Sequence, residues 1–390
     1  MDTQQRLIAA LLKAAVTGQA QPLGEGCSLE DVMPIIKKQG LGTLCYEGAA
    51  ICGISPRNPQ MQLLFRQYYS ILLHSERQMQ QVEALFRAFE ENEIHYLPFK
   101  GCVMKTLYPK PELRAMGDAD VLIRFEQYPK IKQIMPTLGF ELKEESDCEQ
   151  IWTRPELYLE LHKCLVQPSH RDYYAYFGDG WGRALPKAGF RYDFSPEDTY
   201  VYLFMHYAKH YRSGGIGCRH VLDLWVYRRA NPDMDEDYVN RELEKLHLKD
   251  FHHNTLELLE TWFGEGEGSD RVEFMTRRIF SGGAFGNARD YYVFVELTKA
   301  KDTDHATNSR LNYYRNLFFP PLAQMRKKYP ILEKHPYLLP AGWVVRGGAV
   351  VLGHREKLTK ANRIAREVSD EALNSHQEGL RYVGLDFHGE

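Results

Sequence analysis

The chain has 390 residues, of which 44% are apolar, 26% charged and 12% aromatic, the composition of a globular protein rather than a disordered, collagenous or membrane-spanning one. At about 100–200 residues per domain this length supports two or three domains and needs no disulfide or structural metal to fold. With 49 basic against 52 acidic residues and a net charge of −3, it lacks the basic excess by which proteins hold long phosphate backbones, so bulk nucleic-acid binding is disfavoured.

Residues 1–92 read as an N-terminal helical region. Val82, Leu85, Phe86 and Phe89 recur at i, i+3, i+4 and i+7, the apolar stripe of an amphipathic helix. Gly40–Gly42 and Gly53–Pro59 punctuate the helices before it. From 93 to 194 the texture becomes mixed α/β. The pattern predicts a strand over Ile94–Phe99, a short segment Cys102–Tyr108 stopped by Pro109 and Pro111, and a strand over Gly117–Arg124. A helix over Tyr128–Leu138 follows, ending at Gly139. Ile151–Trp152 and Leu157–Leu165 then form a hairpin turning on Arg154-Pro155-Glu156. From 195 to 390 the chain reads as a C-terminal helical region. Ser195 is an N-cap, Pro196 suits the first helical position and Asp198 supplies a capping carboxylate, predicting a helix through Tyr200–Tyr211. Helices over Arg219–Arg229, Asp237–Leu246 and Phe251–Phe263 follow. Gly264, Gly266 and Gly268 mark a loop, and prolines from Pro320 to Pro340 break the remainder. The expected fold class is α+β, a small mixed-sheet core flanked by helical regions on both sides.

The seven cysteines are scattered without a C-x-x-C pair, which reads as reduced thiols rather than a disulfide framework or a Cys-rich zinc site. No basic cluster precedes the apolar Leu7–Leu12, and the stretch Leu338–Gly353 is interrupted by Arg346 and too short to span a bilayer. A cytoplasmic protein with no membrane partner is expected.

Chemistry concentrates in Pro98–Arg124. Asp118 and Asp120, two residues apart on a predicted strand, point to one face, while Ala119, Val121 and Ile123 point to the other. Carboxylates roughly 6–7 Å apart along a strand suit a shared hard divalent cation. A solvated turn is the bland alternative for an isolated D-x-D. Its neighbours favour the cation. Lys100-Gly101 follows a strand and opens a short helix, where backbone N–H groups can meet a phosphate and the glycine permits close approach. Lys105 and Arg114 add cationic donors. In Leu157–His162 the leucines share one face, leaving Glu160 and His162 on the other.

The pattern F-K-G-x(12)-R-x-M-G-D-x-D-x-L-I, followed by a strand carrying E-L-H, resembles the nucleotidyltransferases related to DNA polymerase beta. Within them it is most similar to uncharacterised bacterial proteins with an L-K-G…R-x-M-G-D-x-D-x-L motif. The resemblance is strong over Leu97–Arg124 and weaker at Tyr158–His162. It implies a mixed-sheet nucleotidyltransferase core and the transfer of a nucleoside monophosphate from a nucleoside triphosphate to an unidentified small-molecule or protein acceptor, releasing pyrophosphate. It also implies Mg²⁺ or Mn²⁺ on Asp118, Asp120 and Glu160, with Lys100, Gly101, Lys105, Arg114 and Gly117 around the nucleotide. Lys100-Gly101-Cys102 stands where Gly-Ser is usual, removing a hydroxyl that contacts phosphate, and the interval from Gly101 to Asp118 is longer than in minimal enzymes.

The segment H-Y-A-K-H, with Arg219 and Asp223 downstream, is similar to the family's helical stretch after the core. His162, His206, Lys209, His210, Arg219 and Asp223 are accordingly candidates for a substrate cleft. His206 and His210 have the spacing of a zinc pair, but Tyr207 occupies the position where the zincin motif has glutamate. Ser281–Gly286 lacks the spacing and lysine of a phosphate loop, and Asp302, Asp304 and His305 lie in a polar stretch read as a solvated loop. A toxin of a toxin–antitoxin pair and a non-catalytic nucleotide-binding protein are the competing functional readings.

Overall fold

The computed structural model describes residues 1–168, 170–284, 286–287, 319–322, 325–326, 329, 331–353 and 370–385. Asp302, Asp304 and His305 lie outside the described residues, as do Phe285 and Pro330. The protein is α+β, with a mixed seven-stranded sheet that has helices before and after it in the chain. Two compact units are distinguished. One comprises residues 1–211, 216–286 and 383–390, and the other residues 212–215 and 287–382. The first holds the sheet. In the second, the described residues include helices Ile331–Lys334, Leu339–Gly353 and Asp370–Tyr382.

The chain opens with α1 (Thr3–Thr17), α2 (Leu29–Gln39) and α3 (Gly42–Ile51), and α1 packs against α3. The long α4 (Pro59–Glu91) starts at Asn58, whose side chain accepts from the Gln60 N–H, with Pro59 at the first helical position. Its Val82, Leu85 and Phe89 enter the core beneath the sheet, as their spacing requires.

Strands β1 (Tyr96–Phe99) and β2 (Ala119–Ile123) are antiparallel and joined by the four-residue helix α5 (Gly101–Met104) and two 3₁₀ turns. Proline is unusual inside a sheet because it lacks a donor. Pro98 is accommodated because the outer neighbour of β1 pairs with it only at Tyr96. After α6 (Tyr128–Thr137) come β3 (Glu141–Glu145), β4 (Glu149–Arg154) and β5 (Leu157–His162). The β4–β5 hairpin turns at Pro155-Glu156, with Arg154 opposite Leu157. Glu156 takes a φ of 69° there. Helix α7 (Arg171–Phe177), the hairpin β6 (Leu185–Ala188) and β7 (Arg191–Asp193), and α8 (Pro196–Ser213) follow. Sheet order is β3-β4-β5-β2-β1-β7-β6. Helices α9 (Cys218–Ala230), α10 (Glu236–Lys245), α11 (Lys249–Phe263) and α12 (Asp270–Ser281) follow in the first unit.

The Ser195 hydroxyl accepts from the Asp198 N–H at 3.0 Å, as an N-cap does. The Asp198 carboxylate meets Arg183 at 2.7 Å and the Tyr238 hydroxyl at 2.9 Å. Among the described residues no helix is long and apolar enough to cross a membrane.

Candidate active site

The alternation of β2 and β5 sorts their side chains. Ala119, Val121 and Ile123 of β2 and Leu157, Leu159 and Leu161 of β5 enter one buried core with α4 and α6 residues. Asp120, Glu160 and His162 therefore emerge on the opposite face. The two strands pair in parallel, with Asp120 opposite Glu160 and Leu122 opposite His162. One ligand atom from each of Asp120, Glu160 and His162 lies within 4.8 Å of the others. Asp118 sits one residue before β2, and its partly buried carboxyl is raised above its usual range by burial and by the charges of Asp120 and Glu160.

Asp120 is nearly fully buried. Its Oδ1 accepts from Lys100 Nζ at 2.7 Å and lies 2.9 Å from His162 Nε2. Burial alone would raise its carboxyl, but Lys100 and the His162 hydrogen bond overcome that and hold it below the usual range. His162 Nε2 is also 3.5 Å from Glu160 Oε2, while Nδ1 is 3.6 Å from Glu149 Oε2. Burial disfavours the imidazolium, yet the bonds to Asp120 and Glu160 prevail and raise its pKa.

Lys100 reaches Asp120 from a turn with φ 47° and ψ −118°, a region where a side chain is strained and which is found where surrounding structure enforces it. Gly101 follows for a steric reason. A Cβ there would stand 2.9 Å from Met116 Cγ and 3.5 Å from the Asp118 carbonyl oxygen. Gly117 is exposed, with open space where its Cβ would be.

The other cations predicted from sequence occupy different surroundings. Lys105 is buried, its Nζ donates to the Arg114 carbonyl at 3.2 Å, and burial together with Arg114 lowers its pKa to about 8. Arg114 donates through Nε to both oxygens of Asp223 at 3.0 and 3.1 Å, and through Nη1 to the Ala115 carbonyl at 2.7 Å. Asp223 also accepts from the Tyr108 hydroxyl at 2.7 Å, and Arg219 donates to the Ala115 carbonyl at 3.1 Å. Arg114, Arg219 and Asp223 thus form one network tying the β1–β2 connection to α9.

Helix α8 brings Tyr202, His206 and Lys209 within electrostatic reach of Lys100. Burial and Lys100 lower Lys209 to about 8, against the opposing pull of Glu149, Asp120 and Glu160. His206 and His210 meet Nε2 to Nε2 at 3.0 Å. Burial keeps His206 well below the ordinary histidine value, and burial with Lys209 lowers His210 to about 3.

Two neighbours of the site escaped the sequence reading. Glu149 faces His162 because the turn at Pro155-Glu156 fixes the hairpin register, Glu149 opposite His162. Counting back from that turn would have found it. Tyr202 precedes His206 by one helical turn on α8, so extending the histidine stripe N-terminally would have included it.

The model of the family described as uncharacterised nucleotidyltransferase matches residues 28–264, a span that includes the sheet and all the residues just described. The chain belongs to this uncharacterised nucleotidyltransferase family. No curated protein and no solved structure matches it.

Proposed function

We propose that the chain transfers a nucleoside monophosphate from a nucleoside triphosphate to an acceptor hydroxyl, with Asp120, Glu160 and His162, beside Asp118, holding a divalent cation. The observation that carries this reading is the parallel register of Asp120 with Glu160, which gathers three potential ligand atoms within 4.8 Å. The donor set fits such an ion. Carboxylates suit Mg²⁺, and an imidazole beside them extends the fit to Mn²⁺. Asp120 already draws the Lys100 ammonium and the His162 imidazole onto one oxygen. When bound, the ion would neutralise triphosphate charge and polarise the attacking oxygen.

The protein's own groups do the rest. The acceptor oxygen forms a bond to the α-phosphorus as the bond to the β-phosphate breaks, and the electron pair leaves with pyrophosphate. Glu160, whose side chain is 20% exposed against 3% for Asp120, accepts the hydroxyl proton. Lys100 stands beside the carboxylates and supplies positive charge to the incoming triphosphate, with Lys209 on α8 as a second cation facing the same groups. Burial of the cluster strengthens each of these interactions relative to water.

The test is incubation with each α-³²P-labelled nucleoside triphosphate, Mg²⁺ or Mn²⁺, and a panel of metabolites or lysate proteins. Label should pass to a defined product with release of pyrophosphate, and Asp120→Asn should abolish it. Absence of labelled product with every triphosphate and both metals would overturn the proposal.

A further inference from the structure

A cavity of about 400 Å³ lies where β1 and β7 end, between α4 and the start of α8. Its walls include the rings of Phe86, Phe99, Phe194, Tyr202 and Tyr227. Apart from Lys100, its charged residues are Glu83, Lys187, Arg191 and Asp193. Asp193 pairs with Lys187 at 2.7 Å and Arg191 at 3.0 Å, and the lysine side chain is 62% exposed. Glu83 and Lys187 lie exposed at the rim, and the remaining walls are mainly aromatic and aliphatic, with Thr106, Thr199 and Asn231 among them.

The inner end is linked to the carboxylates of the cluster through Lys100. Lys100 lines the cavity while its Nζ rests on Asp120. Tyr202 and Cys102 line it too, and both feel the charge of Asp120. Those carboxylates themselves do not line the cavity, so an occupant's polar end placed at this wall would stand one side chain, Lys100, from Asp120.

We propose that this cavity seats the acceptor, and that the acceptor is a small molecule with a planar aromatic body carrying a hydroxyl. The inference rests on the nucleotidyltransferase reading above and adds the acceptor's chemical class. Three features select that class. The volume falls in the range of small-molecule sites, about 300–1,000 Å³. Rings and sulfur-bearing side chains such as Met79 and Met116 favour a flat, polarisable partner. The uncharged polar side chains of the wall are Thr106, Thr199, Asn231 and the Tyr202 and Tyr227 hydroxyls, and the two tyrosines already donate to the Leu165 and Pro196 carbonyls. That leaves few partners for the many hydroxyls of a sugar, whose burial without hydrogen bonds would be costly.

The probe is 4-bromophenol. Saturation-transfer NMR should show it binding the wild-type protein, and its signal should persist when ATP and Mg²⁺ are added. Leu203→Trp and Val103→Trp, which place an indole in the cavity from α8 and from α5, should each weaken binding about tenfold or more, equivalent to about 1.4 kcal/mol. Bromine anomalous scattering from a soaked wild-type crystal should place the probe among Phe86, Phe99 and Tyr202, a readout that needs no variant to fold. The inference is overturned if the bromine lies elsewhere, if folded variants bind the probe unchanged, or if ATP displaces it, which would make the cavity a nucleobase seat. The thermal shift produced by ATP with Mg²⁺ in the wild type is measured in parallel. Its absence would count against the nucleotidyltransferase reading, whereas a normal shift with no probe binding would count against the acceptor site alone.

Discussion

Asp120 and Glu160 stand opposite each other on the parallel strands β2 and β5, and His162 Nε2 lies 2.9 Å from the first and 3.5 Å from the second. Apolar side chains on the reverse of both strands fix this arrangement, because turning either strand over would expose a row of leucine, valine and isoleucine. Like charges are thus held together by the core, and their repulsion must be met by cations.

Replacing Glu160 by the nearly isosteric glutamine should relieve part of that repulsion and leave the metal-free protein folded, with a melting temperature equal to or above wild type. Stabilisation by Mg²⁺ or Mn²⁺ should largely disappear. Turnover should fall by more than the about 10–100-fold typical of an outer-sphere partner. Differential scanning fluorimetry with and without metal checks the first two expectations, and a wild-type metal response in Glu160→Gln would exclude it as a ligand.

Lys100→Met should destabilise the metal-free protein by about 3 kcal/mol, because it leaves the carboxylate of Asp120, whose side chain is 3% exposed, with His162 as its remaining partner. Asp120→Asn on that background should recover part of the loss. Lys100→Gly should cost about 1 kcal/mol less than Lys100→Met, since glycine accepts the φ of 47° without strain. Denaturant titration of the single and double variants measures all three, and equal losses for glycine and methionine would show that the backbone there is not strained.

Arg114→Ala should behave as a fold defect rather than a simple loss of nucleotide affinity. The guanidinium bonds both oxygens of Asp223 from a largely buried position, so its removal leaves a buried charge and should cost about 3 kcal/mol. Pairing it with Asp223→Asn should return part of that stability in a double-mutant cycle. Strict additivity of the two losses would mean that the contact contributes nothing.

Stability should fall as the pH drops below about 6.5, ahead of carboxylate titration. Burial, with the charge of Arg228, lowers His252 from 6.5 to about 3, while its Nε2 meets the Tyr200 hydroxyl at 3.0 Å. The unfolded chain then takes up the proton first, so stability rises with pH between the two values and is lost on acidification. For one such histidine the loss is of order 2 kcal/mol at about pH 5. His210 and His220, lowered mainly by burial to about 3 and about 4, act in the same direction. His252→Gln should flatten the pH dependence of the denaturation midpoint between about pH 4 and 6, and an unchanged slope would locate the titration elsewhere.

Much of the core was legible because its signals are local. Alternation in Ala119–Ile123 and Leu157–His162 placed the carboxylates opposite the apolar residues, and the proline turn located the β4–β5 hairpin. Strands β3 and β6 gave no such signal because all their residues are exposed, and the short β7 is only partly buried. They owe their existence to pairing with neighbours rather than to an apolar face.

By itself the sequence determined the α+β class, the strand faces, the N-cap of α8 and the motif that marks the family, all of which follow from side-chain type at fixed short spacing. Tertiary structure decided which partners the charged groups acquire. It set β5 beside β2 so that Asp120 meets Glu160, put His162 and Lys100 on one oxygen of Asp120, buried Lys105, and gave Arg114 to Asp223 on α9. The physical reason is range. Alternation and capping act over a few residues, whereas burial and charge pairing depend on which distant elements the core brings within about 4 Å, where a Coulomb interaction is strong enough to choose a partner.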